Sequence, residues 1–198
     1  MTITHIVLDM GGVLIELRWL DRVKTLLGRP VAIDEVHKIW VSAPSTVAFE
    51  SGHIDFAAFA AAFIQDFDLA IAPEVVQHEF LEIVQAPLPQ CNEMLSTLKP
   101  RYHLSLLSNT NPAHYERLRD RYSFFDYFDQ LFLSYKIGLI KPSAAIFEHL
   151  LTVLNTPADT VAFFDDSVRN VEAARALGIH AYRVDSPTDI MAVVDRFS

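Results

Sequence analysis

The second half of the chain alternates short β-rich runs with helical stretches. From Pro100 onward the runs predict strands at Leu104–Leu107, Leu131–Leu133, Val161–Phe164 and Ala181–Val184. The intervening stretches predict helices at Pro112–Tyr122, Ala144–Leu154 and Val168–Leu177. The capping signals agree, because Asn111 precedes Pro112 and Gly178 follows Leu177. This alternation predicts an α/β fold, in which crossover helices connect the strands of a doubly wound parallel sheet.

The stretch between the first strand-like run, His5–Leu8, and about Pro87 has a different pattern. Apolar residues recur there at a spacing of about 3.6 residues, which is typical of helices. The pattern predicts no strand and four helices, at Leu17–Leu27, Asp34–Trp40, Asp55–Phe67 and Pro73–Val84. We therefore predict a helical cap domain at residues 16–87, inserted into a core domain of residues 1–15 and 88–198. We expect an insert at this point to lie over the open end of the sheet as a lid.

Composition and charge exclude several classes of protein. Apolar residues make up 51% of 198 residues, which supports a packed core with room for a modest second lobe. The formal net charge of -9 argues against a nucleic-acid partner, and no apolar run approaches the ~20 residues that span a bilayer. Residues 1–5 have neither the basic region nor the long apolar stretch of a signal peptide, so we expect none, and Cys91 as the single cysteine excludes an intrachain disulfide. We therefore expect a cytoplasmic protein that does not bind membranes.

Polar residues follow three of the predicted strands. Asp9 closes the first apolar run, Ser108 and Asn109 follow the next, and Asp165-Asp166 follows a third. Side chains at the carboxyl ends of parallel strands converge in one crevice, which is where open α/β sheets bind ligands. Together with Lys141, this set suits a divalent metal and a phosphate, with one carboxylate able to attack phosphorus. The residues thus indicate metal-dependent phosphoryl transfer.

Taken together, these segments resemble the haloacid dehalogenase-like (HAD) superfamily over nearly the full chain. The segments that carry the resemblance are Asp9-Met10-Gly11-Gly12-Val13, Leu107-Ser108-Asn109-Thr110-Asn111, Gly138-Leu139-Ile140-Lys141-Pro142 and Phe164-Asp165-Asp166-Ser167-Val168-Arg169-Asn170. In the predicted cap, Phe49-Glu50-Ser51-Gly52-His53-Ile54 is usual in members with a small helical cap. Within the superfamily the chain looks most similar to bacterial sugar-phosphate phosphatases related to the α-glucose-1-phosphate phosphatases.

The resemblance implies a nucleophile and a metal site. Asp9 would attack phosphorus in line and form an aspartyl-phosphate, which water then hydrolyses. Mg²⁺ would bind to the Asp9 carboxylate, the Gly11 backbone carbonyl and Asp166, with water completing an octahedral shell. Asp165 and Asn170 would orient this site from behind.

The same resemblance implies a phosphate site. Ser108 and Lys141 would bind the oxygens of the transferring phosphoryl group, aided by the backbone amides near Met10, Gly11 and Asn109. The substrate would be a small phosphorylated metabolite, with a sugar phosphate as the first expectation.

One position departs from the commonest phosphatase pattern of the superfamily. Most such phosphatases have a second aspartate two residues after the nucleophile, as general acid and base, and Gly11 occupies that position here. General acid catalysis typically contributes about 10²–10⁴-fold, so another group must supply the proton or the leaving group must need little help. Glu16 is the nearest carboxyl candidate along the sequence, with Asp21 second. An anomeric hydroxyl is an acidic leaving group, which favours sugar 1-phosphates.

Three other functions stay open at this point. A 2-haloacid dehalogenase uses the same aspartate to attack carbon and also lacks the second aspartate, although the pair Asp165-Asp166 would crowd an anionic substrate. A phosphonate hydrolase needs a cap lysine that forms a Schiff base, and Lys24 and Lys38 lie in the predicted cap without a supporting pattern. A non-catalytic binding module would show no magnesium-dependent turnover of any phosphate ester.

Overall fold

Seven strands and ten helices are described in the computed structural model, which covers residues 2–32 and 42–197. The strands are β1 (His5–Leu8), β2 (Ile15–Leu17), β3 (Val84–Pro87), β4 (His103–Ser108), β5 (Gln130–Leu133), β6 (Val161–Asp165) and β7 (His180–Arg183). The helices are α1 (Trp19–Leu27), α2 (Pro44–Glu50), α3 (Phe56–Asp66), α4 (Pro73–Leu81), α5 (Cys91–Leu98), α6 (Pro112–Arg119), α7 (Ser134–Ile137), α8 (Ala144–Leu154), α9 (Val168–Ala176) and α10 (Pro187–Val194). Short 3₁₀ helices occupy Phe124–Tyr127 and Ala158–Thr160.

Five of the strands form one parallel sheet in the order β5-β4-β1-β6-β7. Strand β1 lies at its centre, and its residue Leu8 pairs with Leu106 of β4 on one side and Phe164 of β6 on the other. The chain first builds outward through β4 and β5 and then returns to the other side of β1 to add β6 and β7. This reversal beside β1 is a topological switch point, and the predicted doubly wound α/β fold is confirmed.

The central strands are buried on both faces. Ile6, Val7 and Leu8 of β1 have no exposed surface, and the apolar residues of β4 and β6 are equally buried. Helix caps fix where the flanking helices begin, since the Asn111 side chain accepts a hydrogen bond from the His114 amide at 3.0 Å. Because both faces are covered by helices, the sheet's carboxyl edge is the place where polar residues meet.

Aromatic side chains hold the helical stretch α1–α4 together. Phe59 stacks on Phe49 with ring centroids 4.8 Å apart and contacts Phe80 at 4.5 Å, and all three rings are fully buried. Asp55 caps α3, because its carboxylate accepts a hydrogen bond from the Ala58 amide at 2.8 Å. The predicted helix Asp34–Trp40 lies outside the described residues.

The prediction that this stretch contains no strand is wrong. Strands β2 and β3 form an antiparallel pair, in which Ile15 lies opposite Pro87 and Leu17 opposite Val84. The predicted helices Leu17–Leu27 and Pro73–Val84 are therefore shorter, beginning at Trp19 and ending at Leu81 respectively. Strands of three and four residues are too short for an alternating pattern to show, and their partners lie far apart in sequence. The pair joins the two ends of the helical stretch.

None of the helices in the described ranges combines the length and the hydropathy needed to cross a membrane.

Candidate active site

The carboxyl ends of three neighbouring strands place Asp9, Ser108 and Asp165 side by side. Asp9 directly follows β1, Ser108 is the last residue of β4, and Asp165 is the last residue of β6. The Asp9 amide donates to the Phe164 carbonyl at 2.9 Å, which continues the β1–β6 ladder one step beyond the strand. This bond ties the predicted nucleophile to the strand that carries the acidic pair.

Lys141 crosses between these strand ends. Its Nζ lies 2.8 Å from Asp9 Oδ1 and 2.6 Å from Asp165 Oδ2, and it donates to the Leu107 carbonyl at 3.0 Å. Burial alone would lower the pKa of this lysine, but the carboxylates of Asp165 and Asp9 outweigh burial and hold its pKa above the ordinary value. The three acceptors match the three donors of an ammonium group, so Lys141 is a fixed positive charge.

The side chain of Asn109 positions the loop that carries Lys141. Its Oδ1 accepts from the Lys141 backbone amide at 2.8 Å, and its Nδ2 donates to the Lys141 carbonyl at 3.0 Å. The sequence predicted phosphate-binding amides near Asn109, and the side chain's role as a clamp between two loops was not predicted. A clamp of this kind depends on contacts between residues 32 positions apart, and motif spacing does not reveal it.

Three carboxylates form a cluster beside Lys141. Oxygens of Asp9, Asp165 and Asp166 lie within 4.8 Å of one another. Asp165 is fully buried, and it accepts from the Ser167 amide at 2.8 Å and from Asn170 Nδ2 at 2.9 and 3.0 Å. Asp9 and Asp166 line the adjoining cavity, whereas Asp165 lies behind them. The roles predicted for the three acids stay predictions.

The cluster carries more negative charge than Lys141 neutralises. Burial raises the pKa of Asp9 to about 7, and the nearby charges of Asp165 and Asp166 push in the same direction while Lys141 opposes them. Burial and the charge of Asp165 also raise the pKa of Asp166. Three carboxylates share the single positive charge of Lys141, and carboxylate oxygens are the ligands that Mg²⁺ prefers. The donor set therefore fits a divalent metal held by Asp9 and Asp166.

Gly12 leaves the space that the Asp166 carboxylate occupies. The residue has a φ of +74°, and a Cβ atom placed on it would lie 2.5 Å from Asp166 Oδ2. Any side chain here would both strain the backbone and displace the carboxylate. Gly12 thus serves the acidic cluster as well as the turn.

A cavity of about 220 Å³ opens in front of these groups. Residues of the core that were predicted to form or to support the phosphate and metal sites line one wall of this cavity. They are Asp9, Met10, Gly11, Ser108, Asn109, Lys141, Asp166 and Asn170. The helical stretch contributes a second wall, which includes Trp19, Thr46, Val47, Glu50 and Ile83. Asp165 lies behind this wall in contact with Lys141, and the two proton-donor candidates of the sequence, Glu16 and Asp21, are not among the described residues that line the cavity.

Glu16 is not among the described residues that line the cavity. Its neighbours Ile15 and Leu17 are, and successive side chains of a strand point to opposite faces, so Glu16 points away. Its carboxylate pairs with Arg18 at 3.1 Å, where both side chains are half exposed. The carboxyl group that lines the cavity from the helical stretch is that of Glu50. Lys24 does not line the described wall either, and Lys38 lies outside the described residues.

His114 connects the core to the helical stretch. Its Nδ1 accepts from Asn111 Nδ2 at 3.1 Å, so the proton lies on Nε2, which donates to the Phe80 carbonyl at 2.8 Å. Burial lowers the pKa of this histidine to about 4, and it is therefore uncharged near neutral pH. The ring also lines the cavity and stacks on Phe80 with centroids 4.3 Å apart.

The sequence also matches known proteins. Residues 3–178 match the model of a hydrolase family, the haloacid dehalogenase-like hydrolases. Drimenol cyclase drtB of Aspergillus calidoustus is 35% identical over 91 residues, which are 44% of this chain and 17% of that protein. The D-ribitol-5-phosphate phosphatase of Bacteroides thetaiotaomicron is 31% identical over 98 residues, 46% of this chain and 48% of that protein. The chain thus spans about half or less of these curated relatives.

A solved structure extends the likeness over almost the whole fold. The crystal structure of a HAD family enzyme from Bacteroides thetaiotaomicron, in complex with magnesium and inorganic phosphate, superposes with a TM-score of 0.75. It is 25% identical, and the match covers 91% of this chain and 93% of that one. The finer resemblance to α-glucose-1-phosphate phosphatases stays a prediction. By its family match and its fold, the chain belongs to the haloacid dehalogenase-like hydrolases.

Proposed function

We propose that the protein is a magnesium-dependent phosphatase that hydrolyses a small phosphorylated metabolite, most specifically a sugar phosphate. The observation that carries the proposal is the cluster of Asp9, Asp165 and Asp166 around Lys141, at the floor of a cavity large enough for a small metabolite. A D-ribitol-5-phosphate phosphatase among the relatives and a similar fold solved with magnesium and inorganic phosphate support it.

Asp9 is the nucleophile in this proposal. Lys141 binds one of its oxygens at 2.8 Å and so fixes the orientation of the carboxylate at the cavity floor. A carboxylate oxygen attacks phosphorus, the bond from phosphorus to the ester oxygen breaks, and the leaving alcohol takes up a proton. Water then cleaves the aspartyl-phosphate, which releases inorganic phosphate and regenerates Asp9.

The remaining residues stabilise charge and position. The Asp9 carboxylate, the Gly11 carbonyl and Asp166 would hold Mg²⁺, which when bound supplies positive charge to the phosphoryl oxygens. Lys141 and Ser108 would contact those oxygens from the core, with backbone amides near Met10, Gly11 and Asn109. Asp165 holds Lys141 in place, and Asn170 in turn holds Asp165 through bonds of 2.9 and 3.0 Å.

Leaving-group protonation is assigned to Glu50 rather than Glu16. Gly11 has no titratable side chain, and Glu16 lies on the outer face of β2. Glu50 ends α2 and lines the cavity wall opposite the acidic cluster. The adjacent turn fixes its position, because a Cβ on Gly52 would come within 2.1 Å of the Tyr135 carbonyl oxygen, so only glycine allows this approach.

The carboxylate cluster argues against the other two enzymatic functions, haloacid dehalogenation and phosphonate hydrolysis. An anionic haloacid would face three carboxylates, and Lys141 is the single cation that the described contacts place against them. A phosphonate hydrolase would need a cap lysine at the cavity, and among the described residues Lys141, from the core, is the lysine that lines it. A phosphate ester that arrives with Mg²⁺ removes the charge conflict.

The test is magnesium-dependent phosphate release from a panel that contains sugar 1-phosphates, other sugar and polyol phosphates, and an aryl phosphate. We expect turnover with Mg²⁺, none after chelation, and a loss of roughly 10⁴-fold or more in Asp9→Asn. Preference for sugar 1-phosphates would support the prediction drawn from Gly11. No turnover of any ester, or equal turnover by the variant, would overturn the proposal.

A further inference from the structure

Two buried threonines line the cavity, and their hydroxyl groups have no partner among the described residues. Thr46 is 1% exposed and Thr110 is 2% exposed, and the Oγ1 atoms of both are buried without a hydrogen bond to the described part of the chain. Thr46 belongs to α2 in the helical stretch, whereas Thr110 follows Ser108 and Asn109 on the core side, so the two lie in opposite walls. A buried hydroxyl without a partner is costly, so such groups normally find one.

The backbone of Thr110 shows that this residue is fixed in place. Its amide donates to Ser134 Oγ at 2.9 Å, and Ser134 Oγ donates back to the Thr110 carbonyl at 2.9 Å. The backbone amide and carbonyl of Thr110 are thus both hydrogen-bonded, whereas its side-chain hydroxyl has no partner among the described residues. Thr46 is fixed by its helix, whose start is held by a bond of 2.9 Å from the Ser45 amide to Asp66.

Rotation about a threonine Cα–Cβ bond exchanges the methyl and the hydroxyl group, and threonine uses two such rotamers in helices. Each hydroxyl can therefore turn toward the cavity when a ligand offers a partner. Neither side chain carries charge, so the partner is a neutral polar group rather than a phosphoryl oxygen, which Lys141 and the metal site already attract.

We propose that Thr46 and Thr110 recognise hydroxyl groups of the substrate, and that the substrate is therefore a polyhydroxylated phosphate ester. This inference rests on the proposed function and makes its substrate class specific. Thr110 would contact a hydroxyl close to the phosphate, because it lies two residues from Ser108, and Thr46 would contact one further out, under the helical stretch.

The test uses the isosteric variants Thr46→Val and Thr110→Val, with Ser45→Ala as the matched control. Ser45 also has a buried hydroxyl without a partner, but it does not line the described cavity wall. The probes are ribitol 5-phosphate and glucose 1-phosphate against n-pentyl phosphate and phenyl phosphate, which have no hydroxyl groups. Melting temperature is measured on each variant.

We expect each valine variant to lose about two- to tenfold in kcat/KM on the better hydroxylated probe, since one hydrogen bond is lost. The same variants should keep their kcat/KM on pentyl and phenyl phosphate, and their melting temperature should not fall, because no bond within the protein is removed. Ser45→Ala should leave kcat/KM unchanged on all four probes.

Equal losses on all probes, no loss on any, or a lower melting temperature in the valine variants would overturn the inference. Hydrolysis of only phenyl and pentyl phosphate by the wild-type protein would also overturn the inference, whereas the proposed phosphatase function would stand. Absence of turnover on all four probes would overturn the proposed phosphatase function and, with it, this inference.

Discussion

The two walls of the cavity, one from the core and one from the helical stretch, are stabilised by different kinds of interaction. On the core side, the charged groups are bound to one another: Lys141 has three acceptors, and Asp165 has donors from Lys141, Ser167 and Asn170. On the side of the helical stretch, aromatic packing fixes the backbone, and the hydroxyl group of Thr46 has no hydrogen-bond partner among the described residues. The comparison teaches that the chemistry rests on an interlocked network, whereas recognition rests on separate side chains.

This difference predicts how the two walls respond to substitution. Removing one member of the core network leaves its buried partners unpaired, so activity and stability should fall together. Removing one polar group from the other wall should change activity toward particular substrates while the fold stays intact. The predictions that follow test this contrast, from the largest expected effect to the smallest.

Lys141→Met should give the largest combined loss. The variant leaves Asp165 fully buried without its cation, so we expect unfolding to become easier by about 3–5 kcal/mol and phosphate release to disappear. Chemical denaturation and the phosphate assay measure the two effects. Lys99→Met is the control, because its pair with Asp129 is on the surface and should be worth less than about 1 kcal/mol. Equal destabilisation by both variants would contradict the interlocked core.

Glu50→Gln should lower activity by an amount that depends on the leaving group. Loss of the proton donor should lower kcat by about 10²-fold on a sugar phosphate that has an ordinary alcohol as leaving group. An aryl phosphate, whose leaving group is more acidic, should be affected much less. Glu16→Gln is the matched control and should keep full activity on both esters. A larger loss in the Glu16 variant would return the proton donor to the position that sequence proximity suggested.

Mg²⁺ should stabilise the protein more at about pH 8 than at about pH 5.5. The pKa of Asp9 is about 7 in the fold against 3.8 as its ordinary value, so the folded state holds its proton more tightly than the unfolded state does. Stability contributed by this proton is lost as pH rises from about 4 to about 7, and the metal then replaces the proton. Thermal unfolding with and without Mg²⁺ measures the effect.

Asp9→Asn is the control for this pH effect. The amide carries no titrating proton, so the difference in magnesium stabilisation between the two pH values should shrink in the variant. A difference of unchanged size would place the titrating group elsewhere in the cluster. A magnesium effect that is larger at the lower pH would contradict the assignment.

The core could be predicted from sequence because its strands are buried on both faces. Such strands appear as continuous apolar runs, and each polar residue at a run's end, such as Asp9 or Ser108, marks the shared edge of the sheet. The helices between them carried clear caps, as at Asn111. The family resemblance then supplied roles for these residues that spacing alone does not give.

The second wall could not be predicted to the same depth. The pattern predicts no strand at Ile15–Leu17 and places Leu17 at the start of a helix, so it does not show the alternation that turns Glu16 away from the cavity. The position of Glu50 depends on a contact of Gly52 with Tyr135, far away along the chain. The orphaned hydroxyls of Thr46 and Thr110 likewise become visible only when their surroundings are known. In each case the position of the side chain depends on contacts between residues far apart in the sequence. The local sequence pattern does not reveal such contacts.

The most direct test of the account is to trap the phosphoenzyme. Wild-type protein is mixed with Mg²⁺ and its best phosphate ester, quenched in acid within the first turnover, digested and analysed by mass spectrometry. The account predicts one phosphoryl group on the peptide that contains Asp9, sensitive to hydroxylamine as an acyl phosphate is, and absent from Asp9→Asn. A phosphoryl group on another residue, or rapid turnover by Asp9→Asn, would contradict the central claim.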